Sequence, residues 1–116
     1  MRQADAGDGS VGVVFDALAD PTRRAALELL RRRPVMTAGE LAAAFPEISR
    51  PAVSRHLRLL RSAGLVEATQ HGREWRYELR VLPLAEVQQQ WFAQFAPIWE
   101  ESLERLRATV ETSPSP

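Results

Sequence analysis

The chain has 116 residues and carries 15 basic and 15 acidic side chains, so its formal net charge is zero. A hydrophobic share of 45% is typical of one small globular domain, and the lack of cysteine excludes a disulfide scaffold, a thiolate metal site and a thiol nucleophile. No stretch approaches the ~20 apolar residues of a membrane-spanning helix, and the polar start MRQADAGDGS is unlike a secretory signal, so we expect a cytoplasmic protein with no membrane partner.

The neutral total conceals an uneven distribution of charge. Residues 21–80 hold twelve arginines and six glutamates, a net charge of +6, whereas residues 1–20 and 81–116 each carry a net charge of −3. A basic segment inside a neutral chain indicates one surface that meets a polyanion.

One domain over residues 11–111 is predicted, between disordered tails at residues 1–10 and 112–116. The first helix is predicted over about Val11–Leu18 because its apolar residues recur at helical spacing. These residues are Val11, Val14, Phe15 and Leu18.

Two further helix starts are marked by capping residues. Asp20, followed by proline, is a favourable N-cap for a second helix that runs to about Arg33. Thr37 and Glu40 have the spacing of a capping box, which predicts a third helix over Ala38–Phe45.

A fourth helix follows after a short connector. Ser49 is its predicted N-cap, and the helix extends to about Ser62, with Gly64 suited to the position after its end. Two helices joined by so short a turn have the geometry of a helix-turn-helix.

A β-hairpin is predicted next, from the runs Leu65–Gln70 and Glu74–Arg80 around a turn at residues 71–73. The last segment, Pro83–Glu111, has apolar residues at spacings of three and four and is predicted to be a long helix that Pro97 kinks or splits.

The fourth helix carries the residues that suit DNA. Val53, Leu57 and Leu60 form its buried stripe, so its polar residues project elsewhere. In a helix-turn-helix, the second helix enters the major groove and reads bases near its N-terminus, and arginine donates bidentately to guanine. We therefore predict base readout by Arg50, Ser54 and Arg55, and backbone or wing contacts by Ser49, His56, Arg58, Arg73 and Arg76.

Four segments together resemble the ArsR-type winged-helix transcriptional repressors. They are FDALADPTRRAALELL, TAGELA, RPAVSRHLRLLRSAGLV and HGREWRYEL, and the resemblance extends over roughly residues 11–110. It implies a mainly α fold with a β-hairpin wing, and a homodimer formed through the first and last helices. It also implies repression at an operator with two-fold symmetry. The dimer interface is expected at Val14, Phe15, Leu18, Leu84, Val87, Trp91, Phe95, Ile98, Trp99 and Leu103.

The chain departs from the metal-sensing relatives at both of their ligand sites. Where those relatives carry Cys-x-Cys before the third helix, this chain has Thr37-Ala38-Gly39, and residues 81–116 contain no histidine. We therefore expect a non-metal branch of the family, with no metal site and no cofactor.

Three other interpretations remain open. The arginines of the fourth helix are also compatible with an ordinary solvated face, and the winged helix with a protein-interaction module. The aromatic C-terminal segment is compatible with an apolar effector pocket at the dimer interface, which would make the protein a ligand-responsive repressor. No carboxylate is paired with a histidine or serine in a catalytic pattern, so we do not expect an enzyme.

Overall fold

The computed structural model describes residues 11–112, the side chain of Thr112 excepted. Residues 11–18 are helical and are called α1. The other elements are α2 (Pro21–Arg32), β1 (Val35–Thr37), α3 (Ala38–Ala43), α4 (Arg50–Ser62), β2 (Val66–His71), β3 (Glu74–Leu79), α5 (Leu82–Gln90), a 3-10 helix (Phe92–Phe95) and α6 (Ala96–Thr112). The predicted tails at residues 1–10 and 113–116 lie outside the described part, and Thr112, which the sequence assigned to a tail, is the last residue of α6.

The helix starts follow the predicted side-chain caps. The Thr37 hydroxyl accepts a hydrogen bond from the N–H of Glu40 at 3.1 Å, and the Glu40 carboxylate accepts one from the N–H of Thr37 at 2.9 Å. The Ser49 hydroxyl accepts from the N–H of Ala52 at 3.2 Å. Because each cap satisfies N–H groups that have no partner inside the helix, α3 and α4 begin where their caps lie.

The end of α3 and the strand β1 differ from the prediction. The helix ends at Ala43, before the predicted Phe45, which is only 8% exposed and packs into the core instead. The strand Val35–Thr37 was not predicted, because three residues are too short for a periodic pattern. It pairs antiparallel with β3 and places Met36 opposite Tyr77, which gives the sheet the order β1-β3-β2.

The hairpin closes through a two-residue turn, Gly72–Arg73, so that His71 ends β2 and faces Glu74 across the ladder. Gly72 has a φ of 64°, a conformation that suits glycine at the first position of such a turn. Arg73 is thereby held at the tip of the wing.

The predicted long C-terminal helix is three pieces. α5 ends at Gln90, a 3-10 turn follows, and α6 begins at Ala96, so the break precedes Pro97 and the proline does not kink a helix. Pro97 lies in the first turn of α6, where its missing N–H has no helical partner to lose. Aromatic rings pack at the break, with the Trp91 ring centroid 5.3 Å from that of Phe15.

The core lies between the helices α1 to α5 and the inner face of the sheet. Val14 and Val87, which the sequence assigned to a dimer interface, are 3% and 4% exposed and belong to the core of the single chain. They are covered because α1 and α5 are both packed on the same core cluster. Across residues 11–112, no helix is both long enough and apolar enough to cross a bilayer.

Candidate nucleic-acid interface

One face of α4 is buried and the opposite face is open to solvent. Val53, Leu57 and Leu60 are at most 4% exposed, which anchors the helix on the core. At 100° per residue, Arg55 and Arg58 point away from this stripe and Ser54 lies about a quarter turn from it, and all three are exposed. Arg50 and Ser49 lie at the N-terminal end and are exposed as well. Five of the predicted residues are therefore exposed on α4 or at its N-terminal end, and together they are called here the arginine face: Ser49, Arg50, Ser54, Arg55 and Arg58.

The C-terminal end of α4 determines where the wing begins. Gly64 has a φ of 78°, its N–H donates to the carbonyl of Arg61, and the N–H of Leu65 donates to the carbonyl of Leu60, each at 3.0 Å. This pair of bonds is the Schellman motif, which ends a helix in a defined direction. Leu65 is fully buried, so the path from α4 to β2 is held by packing as well.

The wing also contacts α4 through a ring. The guanidinium carbon of Arg61 lies 5.5 Å from the centroid of the Trp75 ring, a cation–π distance. Through this contact Trp75 packs the wing onto α4. Arg61 therefore covers an aromatic surface and is not part of the arginine face.

The glutamates of the hairpin do not interrupt the arginine face. Strand alternation places Glu67, Glu74 and Glu78 on the face of the sheet opposite Tyr77, whose side packs on the core. Arg76 lies on that same outer face, 3.7 Å from Glu74. Alternation therefore places Arg76 on the outer face of the sheet, and its contact with the DNA backbone stays a prediction.

His56 has a different neighbourhood from the one predicted. Its side chain is 18% exposed and lies against the start of α2, with Nδ1 3.2 Å from Nη1 of Arg23 and 3.8 Å from Oδ2 of Asp20. The helical position of His56 turns it toward α2 and away from the arginine face. The sequence analysis did not identify Arg23, although its position three residues after the N-cap Asp20 places it in the first turn of α2.

The carboxylate of Asp20 caps α2 and is held ionised by its surroundings. Oδ2 accepts hydrogen bonds from the N–H of Thr22 at 2.8 Å and of Arg23 at 3.1 Å. Burial alone would raise the pKa of Asp20, but the N–H of Arg23, the charge of neighbouring His56 and the N–H of Thr22 outweigh it. The pKa therefore lies below its ordinary value of 3.8.

This lowered pKa makes part of the stability depend on pH. In the unfolded chain the Asp20 carboxyl binds a proton at a higher pH than in the folded chain, so its contribution is complete above its ordinary pKa of 3.8 and is lost as the pH falls below it. In Asp20→Asn the amide oxygen still caps the helix but does not titrate. We expect the free energy of unfolding of Asp20→Asn, from urea titrations between about pH 5 and pH 2, to fall less steeply than that of the wild type. Equal slopes would contradict this origin of the acid sensitivity.

A row of exposed apolar side chains follows the end of α5. Its members recur mostly at spacings of three and four residues, lie between 37% and 65% exposed, and are called here the apolar stripe. Ring centroids of Trp91 and Phe95 are 4.9 Å apart, and Phe15 of α1, half-buried, packs against Trp91 at one end. The stripe consists of Trp91, Phe95, Ile98, Trp99, Leu103, Leu106 and Val110.

One cavity of the described part lies away from the aromatic C-terminal segment. It has a volume of about 340 Å³ and lies between α1, the end of α4 and α5, where Val11, Val14 and Val87 are among its lining residues, but none of the predicted aromatic residues lines it. Within residues 11–112, no three histidine, aspartate or glutamate side chains are grouped so as to hold a metal ion.

Comparison with known proteins assigns the fold to a family. Residues 18–69 match the family described as a helix-turn-helix domain. The chain is 41% identical over 71 residues to the transcriptional repressor SdpR of Bacillus subtilis (strain 168), over 61% of this chain and 77% of that protein. It is 46% identical over 71 residues to the HTH-type transcriptional regulator Rv2034 of Mycobacterium tuberculosis, over 61% of this chain and 64% of that protein.

A solved structure extends this likeness to the whole fold. The crystal structure of the ArsR family transcriptional regulator RHA00566 superposes with a TM-score of 0.72 at 32% identity, and the match covers 80% of this chain and 93% of that chain. The chain therefore belongs to the ArsR family of winged helix-turn-helix proteins and is a DNA-binding transcriptional regulator, not an enzyme.

Proposed function

We propose that the protein is a homodimeric repressor that binds a palindromic operator through α4 in the major groove and through the wing. The observation that carries this proposal is the arginine face, which is exposed over the N-terminal half of α4 while the opposite side anchors the helix on the core. Arg50, Ser54 and Arg55 would read bases, and Ser49, Arg58 and Arg73 would hold phosphates. The name of SdpR, a repressor, supports repression over activation.

Dimerisation is supported by the apolar stripe. Its residues would be buried against a second copy, with the half-buried Phe15 and Leu18 of α1 at the edge of the same contact. Soluble chains rarely leave so many large apolar side chains exposed in one row. Two recognition helices in such a dimer would enter successive major grooves about 34 Å apart. Because chromosomal DNA is its ligand, we place the protein in the cytoplasm.

Fluorescence anisotropy on DNA tests this function. The duplex comes from the region upstream of the protein's own gene, and a scrambled duplex of equal length and composition is the control. We expect a preference of about 10³-fold for the specific duplex, with the logarithm of affinity falling linearly with the logarithm of salt concentration. If neither the upstream duplex nor any fragment in a scan of the genome binds more tightly than the scrambled duplex, the proposal of an operator is wrong.

A further inference from the structure

Three helices meet at the side chain of Arg23. It projects from the first turn of α2, and its Nε donates to the carbonyl of Ala17 at 2.8 Å while Nη2 donates to the carbonyl of Asp16 at 3.0 Å. Both carbonyls belong to the last turn of α1. The third nitrogen, Nη1, lies 3.2 Å from Nδ1 of His56 on α4.

The guanidinium suits this position for a chemical reason. The last carbonyls of a helix have no partner inside the helix, so a donor from outside satisfies them. An arginine only donates, so this contact requires Nδ1 of His56 as the acceptor, a role that it has when the ring is neutral and carries its proton on Nε2. A lysine, with a single nitrogen, does not reproduce donors that point toward two helices at once.

Apolar packing between α1 and α4 is incomplete at this place. A cleft of about 310 Å³ lies there, and Val13 and Leu59 on its walls are 46% and 44% exposed. Ala17 and Arg23 line the same cleft. Because side chains do not fill the space, the hydrogen bonds of Arg23 bridge it and define the distance from α1 to α4.

We infer that Arg23 is a positioning residue that sets the orientation of α4 relative to α1, and thereby the spacing of half-sites that the dimer accepts. This inference rests on the proposed function, in which α1 belongs to the dimer contact and α4 to the DNA. The two recognition helices of a dimer must match the repeat of the duplex, about 34 Å. A change in the orientation of α4 relative to α1 occurs in both protomers, so the two-fold axis doubles its effect on the separation of the recognition helices. One bridge in each protomer therefore governs how well this separation fits the duplex.

The test compares Arg23→Met with the wild type on three operators. One has the native spacing of the half-sites, and in the others one base pair is added or removed at the centre. We expect the wild type to prefer the native spacing by about tenfold or more and Arg23→Met to prefer it by about twofold, within the range of couplings carried by single networks. Affinity for a scrambled duplex should stay unchanged, because the arginine face is untouched.

Arg24→Met is the matched control. Arg24 also stems from α2, and its Nη1 donates to the carbonyl of Leu18 at 2.7 Å, in the last turn of α1. It therefore caps the same helix end as Arg23, through a bond that does not involve α4. We expect Arg24→Met to keep the spacing preference of the wild type.

Two variants of the acceptor separate the bridge from a direct DNA contact. The amide oxygen of His56→Asn can accept from Arg23 where Nδ1 does, whereas His56→Leu cannot accept. We expect His56→Leu to lose the spacing preference, His56→Asn to retain it, and the double variant Arg23→Met with His56→Leu to be no worse than either alone. If His56→Asn lowers affinity equally at every spacing, the imidazole of His56 contacts a phosphate. The bridge to Arg23 is then not the role of His56.

Melting temperatures of all variants accompany the binding data. If Arg23→Met loses affinity equally at all three spacings, or only melts earlier, Arg23 merely stabilises the fold and the inference is wrong. If Arg23→Met does not fold, His56→Leu decides the matter in its place. If the wild type shows no specific binding to any operator, the proposed function itself is wrong. The variants test only the role of Arg23.

Discussion

Leu103→Glu is expected to convert the dimer into monomers and to lower operator affinity by about 10³-fold, because a monomer engages one half-site only. Leu103 lies in the apolar stripe of α6 and is 55% exposed in the single chain, so the substitution leaves the core of the protomer intact. In a dimer, the new carboxylate would be buried without a partner, at a cost of several kcal/mol. Analytical ultracentrifugation measures the association, and anisotropy on the operator measures the affinity.

Leu82→Glu is the control for Leu103→Glu. Leu82 is 66% exposed and begins α5, away from the apolar stripe, where a glutamate in the first helical turn is favourable. We expect this variant to remain dimeric and to bind the operator as the wild type does. Retention of the dimer by Leu103→Glu would place the interface elsewhere on the chain.

Arg55→Ala is expected to relax the sequence preference at one base pair of each half-site by about 1–3 kcal/mol. Arg55 is exposed on α4 and points away from the buried stripe, so its loss leaves the packing of the helix intact. Competition with operators that carry every substitution at each position shows which base pair loses its preference. An unchanged pattern would mean that α4 is not the helix that reads the bases.

Arg58→Ala tests the other kind of contact. If Arg58 binds a phosphate, its removal weakens binding to all duplexes alike. It also lowers the magnitude of the slope of log affinity against log salt by about one for each phosphate that Arg58 neutralises. Arg105→Ala on α6 is the control, because Arg105 pairs with Glu101 at 3.5 Å and lies far along the chain from the arginine face. Position-specific effects of Arg58→Ala would instead assign it to base readout.

The elements that the sequence predicted well are those with local causes. The caps at Asp20, Thr37 and Ser49 act on N–H groups within three residues, so both partners stand together in the sequence. The buried stripe of α4 follows from its period alone, and Gly64 from the backbone conformation that the helix end requires. The arginine face of α4 is therefore predictable from the spacing of its residues.

The features that the sequence did not predict depend on partners far away in the sequence. Strand β1 exists because β3, about forty residues later, offers it a ladder. Val14 and Val87 are covered because α1 and α5 meet on one core, and periodicity cannot distinguish a core from an interface. Arg76 and His56 lie beside Glu74 and Arg23, and their DNA contacts stay predictions.

The sequence by itself determined the order of helices, the hairpin, and the basic helix that marks a DNA-binding regulator, because capping, periodicity and turn chemistry act over a few residues. Only the tertiary structure decided that Val14 and Val87 are buried in the core of the single chain, and that Arg23 joins α1 to α4 across an unfilled cleft. The contact of Arg23 with His56 links residues 33 positions apart, and no local pattern encodes the distance between them.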